Sequence, residues 1–274
     1  MTDYHFSPNG GSGLARRAVT VAALLAAGSL ALAGCKGSSS AAGGSGSTPS
    51  ASTSSSSGAT GGSGGGSGSG GGSGVSLAAD FPVAVGNTWV YESKVSGLGH
   101  GTITNKMTAV APVAGGQRVR MRVITREAGV PARPASLTYL FHSNGSITVP
   151  LAQFTQEKVR LVSGRIIWPT TAQLASRQPL HSTLVFRTTV VGRDLRITAR
   201  VVVKGGGTQS VTVPAGTYRA QVINETMAEK VEGIRVTTRV RTWVAPGVGP
   251  VKDEVLSSSA IPSTVEVLKS FTKA

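Results

Sequence analysis

Apolar and polar residues alternate one by one along most of the chain beyond Leu77. The stretch Gln117–Glu127 is a clear example, because Val119, Met121 and Val123 are separated by arginines. A period of two residues is typical of a β-strand with one buried face. The same alternation recurs to the end of the chain and predicts roughly ten to twelve strands joined by short turns.

Turn-forming residues interrupt this alternation. Ser143-Asn144-Gly145-Ser146 contains the Asn-Gly pair of a two-residue hairpin turn. A second reversal is predicted at Gly192-Arg193-Asp194, and Gly205-Gly206-Gly207 is interpreted as a hairpin loop. The best helical candidate is Thr170–Ser176, which allows two turns at most. Because many strands must close or curl over their apolar face, we predict a mainly β fold with a strongly curved antiparallel sheet or partial barrel and little helix.

The N-terminal part of the chain follows another pattern. Arg16 and Arg17 precede an apolar segment from Ala18 to Leu32, and these 15 residues are fewer than the ~20 that a membrane-spanning helix needs. Residues 36–76 are almost entirely Gly, Ser, Thr and Ala, and such a segment cannot bury enough apolar surface to fold. We therefore predict three parts: a signal peptide in residues 1–34, Cys35 with a flexible linker in residues 35–76, and a single β domain in residues 77–274.

The apolar segment ends in Leu32-Ala33-Gly34-Cys35, which contains the only cysteine of the sequence. Placed between an apolar run and a Gly/Ser linker, these residues resemble a bacterial lipobox. The resemblance implies cleavage before Cys35 and attachment of a diacylglycerol to its sulfur. It predicts a protein anchored by lipid at the extracytoplasmic face of the cell membrane. Arg16-Arg17 allows twin-arginine export, but the aromatic residue and the leucine that usually follow are missing, so Sec export is the alternative.

The predicted domain is strongly basic, with 24 Lys and Arg against 11 Asp and Glu. Such a charge attracts polyanions, of which anionic wall polymers and lipid headgroups are the nearest to a surface protein. Six arginines occupy the polar sides of two predicted strands, namely Arg118, Arg120, Arg122, Arg235, Arg239 and Arg241. If the two strands are neighbours, the guanidinium groups form one anion-binding face. Otherwise they are ordinary outward residues of a half-buried sheet. Nucleic acid is disfavoured because Trp243 is the only aromatic residue in these strands.

Groups that could carry catalysis are few. None of the domain's histidines, His100, His142 and His181, lies at metal-ligand spacing from another His, Cys or carboxylate. The carboxylates of Glu225, Glu229, Glu232, Asp253 and Glu254 lack the spacing of a calcium loop. Asp253 and Glu254 are adjacent and should point to opposite faces of a strand. We predict no catalytic residues, no metal and no cofactor, while a hydrolase whose carboxylates meet only in three dimensions stays an alternative.

The start of the domain, Phe81-Pro82-x-x-x-Gly86-Asn87-x-Trp89-x-Tyr91, resembles that of a family of secreted bacterial lipoprotein domains. Val213–Tyr218 and Trp243–Lys252 resemble two further motifs of that family, with Pro250 where Leu or Met is more usual. Such domains are distantly similar to periplasmic lipoprotein carriers, whose curved sheet cups acyl chains. The resemblance implies a half-barrel fold and supplies no catalytic residues.

These observations together predict a lipid-anchored envelope protein with a non-enzymatic β domain, whose role is structural or ligand-binding. The predicted partners are the membrane, through the lipid on Cys35, and either a hydrophobic ligand or an anionic wall polymer bound by the arginine faces.

The last predicted strand, Thr264–Thr272, carries Val265, Val267 and Phe271 at alternate positions.

Overall fold

A computed structural model describes residues 81–97, 99–127, 129–149, 159–190, 193–231, 234–256 and 263–274. The secondary structure of these residues consists of the strands β1 (Thr88–Val95), β2 (Gly99–Val113), β3 (Gly116–Glu127), β4 (Val130–His142), β5 (Ile147–Val149), β6 (Val159–Ser163), β7 (Ile166–Trp168), β8 (Leu180–Val190), β9 (Arg193–Val213), β10 (Gly216–Val231), β11 (Ile234–Ala245), β12 (Gly249–Leu256) and β13 (Thr264–Thr272), and the helix α1 (Thr171–Ser176). The 13 strands described exceed the predicted number, and β7, with three residues, is too short to show an alternation.

All of these strands belong to one antiparallel sheet, in the order β6-β8-β9-β10-β11-β12-β13-β1-β2-β3-β4-β5-β7. The edge strands β6 and β7 are separated along the chain only by Gly164 and Arg165. A flat sheet of this size would be about 58 Å wide at ~4.8 Å per strand, whereas that connection reaches about 10 Å. The sheet is therefore rolled until its edges approach each other, yet no pairing joins β6 to β7 in the described part of the chain. This open, rolled sheet confirms the predicted mainly β fold.

The inner face of the sheet holds the hydrophobic core. In β3, Val119, Met121 and Val123 are buried as the alternation predicts, and the arginines between them are exposed. Residues from most of the strands join in one apolar cluster, whose largest fully buried members include Trp89 and Phe186. This burial is the main source of stability, because the one cysteine of the sequence cannot form an internal disulfide.

Three glycines lie inside β9 rather than in the predicted hairpin loop. The strand runs through Gly205-Gly206-Gly207 to Val213, and the turn follows at Pro214-Ala215. A Cβ at Gly205 would overlap the backbone oxygen of Leu174 in α1. Gly205 therefore allows a close approach between helix and strand, which is the other common use of glycine within a strand. The turn that follows reaches β13, where the Ala215 N–H donates to the Leu268 carbonyl at 3.0 Å.

The other local predictions have mixed outcomes. The short helix is confirmed, and Thr170 caps it by accepting a hydrogen bond from the Gln173 N–H at 3.2 Å. The prediction of a two-residue Asn-Gly turn is wrong, because four residues separate β4 from β5. There the Asn144 side chain accepts a hydrogen bond from the Ser146 N–H at 3.0 Å, which stabilises the longer turn. Gly192 lies outside the described residues, so the reversal predicted there stays a prediction.

Two of the three motifs that carry the family resemblance contact each other. Trp89 Nε1 donates to the Val248 carbonyl at 2.7 Å, and the Tyr91 hydroxyl donates to the Pro250 carbonyl at 3.0 Å. The Phe81 ring lies 5.3 Å from the Trp89 ring, measured between centroids. Residues distant in the sequence therefore build one end of the core.

Among the described residues, no helix has the length and hydropathy that crossing a membrane requires. The predicted signal peptide, the lipobox Leu32-Ala33-Gly34-Cys35 and the linker all lie outside the described residues. The boundaries at residues 34 and 76 therefore stay predictions.

Candidate functional site

The six arginines singled out in the sequence lie on two separate parts of the sheet. Arg118, Arg120 and Arg122 are exposed on β3, while on β11 Arg235 and Arg239 are exposed and Arg241 is half-buried. The strands β12, β13, β1 and β2 lie between β11 and β3. The condition for a single six-arginine face is therefore not met, because alternation reveals the face of a residue but not the order of the strands.

Arg241 is already engaged with its neighbours. Its Nε donates to Asn224 Oδ1 at 3.1 Å, and its guanidinium lies 5.7 Å from the centre of the Trp243 ring. The Lys252 ammonium lies 4.8 Å from the same ring and forms an ion pair with Glu254 at 2.7 Å. These contacts indicate a stabilising cation–π arrangement on the outer face. They also confirm that Glu254 and Asp253 point to opposite faces.

A different group of three arginines is aligned by the strand register. Arg160 on β6 is directly opposite Arg187 on β8, which is directly opposite Arg196 on β9. We call these three exposed residues the arginine row. Like charges directly opposite each other destabilise a strand pair, and none of the three has an ion-pair partner among the described residues. Sequence analysis missed the arginine row because it depends on register across three strands.

The three histidines lie apart from one another. His142 Nε2 is 2.8 Å from Thr148 Oγ1, which is a contact between β4 and β5. His100 lines a cleft of about 520 Å³ beside Glu92 and Glu127. His181 lines a cleft of about 490 Å³ between β7 and the start of β8. In the described ranges, no group of three or more His, Cys, Asp or Glu residues could hold a metal ion.

Two carboxylates are opposed on the inner face of the sheet. Asp253 on β12 and Glu266 on β13 are direct cross-strand partners, and such partners have Cβ atoms ~4.5–5.5 Å apart. Asp253 is 9% exposed and Glu266 is 0% exposed. We call Asp253 and Glu266 the inner carboxylate pair. The sequence analysis considered Asp253 but overlooked Glu266, because it followed Val265 and Val267 on β13, which lie on the other side of the strand.

The inner carboxylate pair is poorly supplied with hydrogen bonds. The Thr242 hydroxyl donates to Asp253 Oδ1 at 2.5 Å, whereas neither oxygen of Glu266 has a hydrogen-bond partner. The register places Thr242, Asp253, Glu266 and Ser93 in one row across β11, β12, β13 and β1. A buried carboxylate without a partner is costly, so this row is the most unusual polar feature of the described interior.

Burial changes the titration of these groups. Burial raises the pKa of Asp253 to about 7, even though the hydrogen bond from Thr242 lowers it. Burial, and then the charge of Asp253, raise the pKa of Glu266 well above its ordinary value. The pKa values of Tyr91 and Tyr139 are raised first by burial and then by the charge of Asp253.

Two further acidic side chains are buried on β10. Glu225 is 4% exposed and Glu229 is 2% exposed. Both oxygens of Glu229 lack a hydrogen-bond partner, and burial raises its pKa to about 8. The chain therefore combines an arginine-rich outer surface with several buried carboxylates. The spacing Glu225-x-Met227-x-Glu229 could have indicated the two buried glutamates of β10, because it places both on the same face of the strand as a buried methionine.

Solved structures share the open, rolled antiparallel sheet. A protein from Bacteroides fragilis, described as exported and as having a YmcC-like fold, is 16% identical with a TM-score of 0.51, and the alignment covers 70% of this chain and 98% of that protein. A protein from Parabacteroides distasonis, described as a lipoprotein, is 15% identical with a TM-score of 0.51, and the alignment covers 72% of this chain and 99% of that protein. At these identities the likeness shows the fold alone.

Similarity in sequence covers a smaller part of the chain. Residues 148–259 match the model of the DUF3108-like family. This match spans β6 to β12 and so includes Asp253, but it ends before β13 and Glu266. No curated protein matches the sequence. Together with the shared fold, the match supports a lipoprotein-like β fold.

Proposed function

We propose that this protein is a lipid-anchored, non-enzymatic ligand-binding protein of the cell envelope, held at the extracytoplasmic face of the membrane by Cys35. The resemblance of residues 32–35 to a lipobox and the Gly/Ser linker after it support the anchor. The solved proteins with the same fold are described as exported or as a lipoprotein, which supports the same location. The linker would give the domain a root-mean-square reach of roughly 35 Å from the bilayer.

The observation that carries ligand binding is Glu266, which is fully buried without a hydrogen-bond partner on the inner face of an open sheet. Folded proteins satisfy nearly all of their buried polar groups, and the exceptions often mark functional positions. A ligand that satisfies Glu266 removes the cost of its burial.

The two sheet edges and the inner carboxylate pair share a continuous inner surface. The cleft of about 490 Å³ is lined by Ile167 of β7 on one side and by Leu180 of β8 on the other, and it also contacts Val203. From that valine a register row crosses four more strands through Glu225, Val240, Val255 and Thr264. The neighbouring row contains the inner carboxylate pair. Two adjacent register rows of buried residues therefore connect this cleft to Glu266 along the inner face of the sheet.

A hydrolase is the less suitable interpretation of the same residues. A carboxylate pair that cleaves a glycosidic bond needs one ionised member as nucleophile or base. Burial raises the pKa of Asp253 to about 7 and raises that of Glu266 well above its ordinary value, so both carboxyl groups ionise less readily than ordinary carboxyl groups. This supports binding rather than catalysis.

One experiment tests the anchor and the ligand together. In detergent phase partitioning, the wild-type protein is expected in the detergent phase, and the Cys35→Ser variant, which lacks the thiol that accepts the diacylglycerol, is expected in the aqueous phase. Native mass spectrometry of the aqueous variant is expected to show a bound small molecule that is released on unfolding.

The two parts of the proposal fail separately. A wild-type protein that stays in the aqueous phase would disprove the lipid anchor without affecting the ligand. A Cys35→Ser protein whose native mass equals its bare chain mass, after production in cells and after incubation with a membrane lipid extract, would disprove ligand binding.

Binding of anionic wall polymers is a second candidate, and the arginine row supports it. Replacing Arg160, Arg187 and Arg196 together by Gln is expected to abolish most of the binding to lipoteichoic acid and to flatten its dependence on salt, since fewer counterions are released. The matched control replaces Arg118, Arg120 and Arg122, which lie on one strand. Equal losses in the two triple variants, measured by salt titration, would show that only net charge matters.

A further inference from the structure

We propose that the inner carboxylate pair binds a primary ammonium group carried on an apolar body. This inference rests on the proposed ligand-binding function and names the class of the ligand. It is based on three features of the described interior: the unpartnered oxygens of Glu266, the polar residues beside them, and the apolar residues in the adjoining rows.

The unpartnered atoms at this site are hydrogen-bond acceptors. Glu266 offers two carboxylate oxygens without donors, and Asp253 accepts from Thr242. An ammonium group has three donors and no acceptor, so it can satisfy Glu266 without leaving an acceptor of its own unpaired. Ser93, directly opposite Glu266, is a further acceptor in the same row. The group therefore matches the site in hydrogen bonding as well as in charge.

The charge of the pair also favours a cation. Two opposed carboxylates cannot both ionise in a desolvated site without compensation, and burial raises the pKa of each of them. Lys252 cannot compensate, because its ammonium lies on the outer face beside Glu254. A cation bound at the pair would therefore offset the cost of ionising it. A metal ion is less suitable, because the described residues provide no third His, Cys, Asp or Glu ligand at the pair.

Most residues on either side of the pair are apolar, and Thr264 is the polar neighbour of Glu266 along β13. Val251 lies two positions from Asp253 along β12, and Leu268 lies two positions from Glu266 along β13. Both are fully buried and belong to the main core. In the opposite direction, Val240 and Val255 are directly opposed and form a small apolar cluster of their own, separate from the main core. An apolar body extending from the ammonium group would pack against these side chains through dispersion contacts and would itself be removed from water. A small hydrophilic amine would lack this contribution.

Three probes with the same alkyl chain separate charge, hydrogen bonding and apolar contact. The full chain carrying Cys35→Ser, produced without lipid, is titrated with dodecylamine, dodecyltrimethylammonium and dodecanol by calorimetry. Dodecylamine is expected to bind at least about tenfold more tightly than the other two, since trimethylammonium has the charge but no N–H donor and the alcohol has no charge. Adding Glu266→Gln is expected to remove this preference for the amine.

The controls distinguish this inference from the function on which it rests. Glu254→Gln, on the opposite face of the same strand, is expected to keep the preference for the amine, and Asp253→Asn is expected to reduce it. Equal binding of all three probes would overturn the ammonium site and leave the ligand-binding function in place. Binding of none of them would overturn both.

A fourth probe distinguishes two sources of the ammonium group. Lysophosphatidylethanolamine carries a primary ammonium beside a phosphate on a single-chain lipid. Tighter binding than dodecylamine would support the proposal with a lipid headgroup as the ligand. Weaker binding, together with the amine preference above, would support it with a free amine as the ligand.

Discussion

Between about pH 4 and about pH 8, the free energy of unfolding is expected to fall by roughly 3 kcal/mol or more. Burial raises the pKa of Asp253 from 3.8 to about 7 and that of Glu229 from 4.5 to about 8. In this window the unfolded chain releases protons that the folded chain keeps, so ionisation favours unfolding. Below both unfolded values the stabilisation is fully present, and it is lost as the pH rises through the folded values.

The direction of this change is diagnostic. Urea unfolding at a series of pH values is the measurement. The combined variant Glu229→Gln, Asp253→Asn and Glu266→Gln is expected to show a much flatter profile, whereas the outer-face control Glu254→Gln keeps the wild-type slope. A wild-type stability that is constant or rises across the window would contradict the burial of these carboxyl groups.

Replacing Trp89 by Ala is expected to lower the free energy of unfolding by about 3–5 kcal/mol. The side chain is 1% exposed, its ring stacks on that of Phe271 with 5.0 Å between centroids, and its Nε1 donates to the Val248 carbonyl at 2.7 Å. The substitution leaves a cavity at the end of the core and an unpaired buried carbonyl. Because Trp89 connects β1 to the turn before β12, the loss should be global and cooperative.

The urea midpoint and slope measure this prediction. Trp89→Phe keeps an aromatic ring without the indole N–H, so it should cost less than Trp89→Ala and separate the packing contribution from the hydrogen bond. Val85→Ala, at a position that is 56% exposed, should change the stability by no more than about 0.5 kcal/mol. A Trp89→Ala protein within about 1 kcal/mol of wild type would contradict a central role for this residue.

The alternation of apolar and polar residues predicted strands correctly where one face of a strand is buried and the other is exposed. In β3, Val119, Met121 and Val123 are buried and the arginines between them are exposed, as the alternation predicts. On β13 the same reasoning misled, because Val265 and Val267 are only half-buried, while Thr264, Glu266 and Leu268 are buried. Hydrophobicity predicts the inner face only if the interior is apolar, and this interior contains carboxylates.

The glycines show the same limit in another form. Gly205-Gly206-Gly207 was interpreted as a loop because glycine frees the backbone for turns. In the structure these residues belong to a strand. The lack of a side chain at Gly205 allows the backbone of α1 to pack closely against that strand. A sequence shows that a position needs glycine, but not whether the need is a turn or a close approach.

The sequence by itself determined the mainly β fold, the basic outer surface and the predicted lipid attachment at Cys35, because each depends on the composition or on residues close together in the chain. Only the tertiary structure decided that β3 and β11 are far apart, that Arg160, Arg187 and Arg196 are aligned, and that Asp253 is opposite Glu266. The physical reason is that strand order and register arise from pairings between distant segments. Such pairings bring polar groups together and exclude water from them. No single stretch of the chain shows which groups will meet in this way.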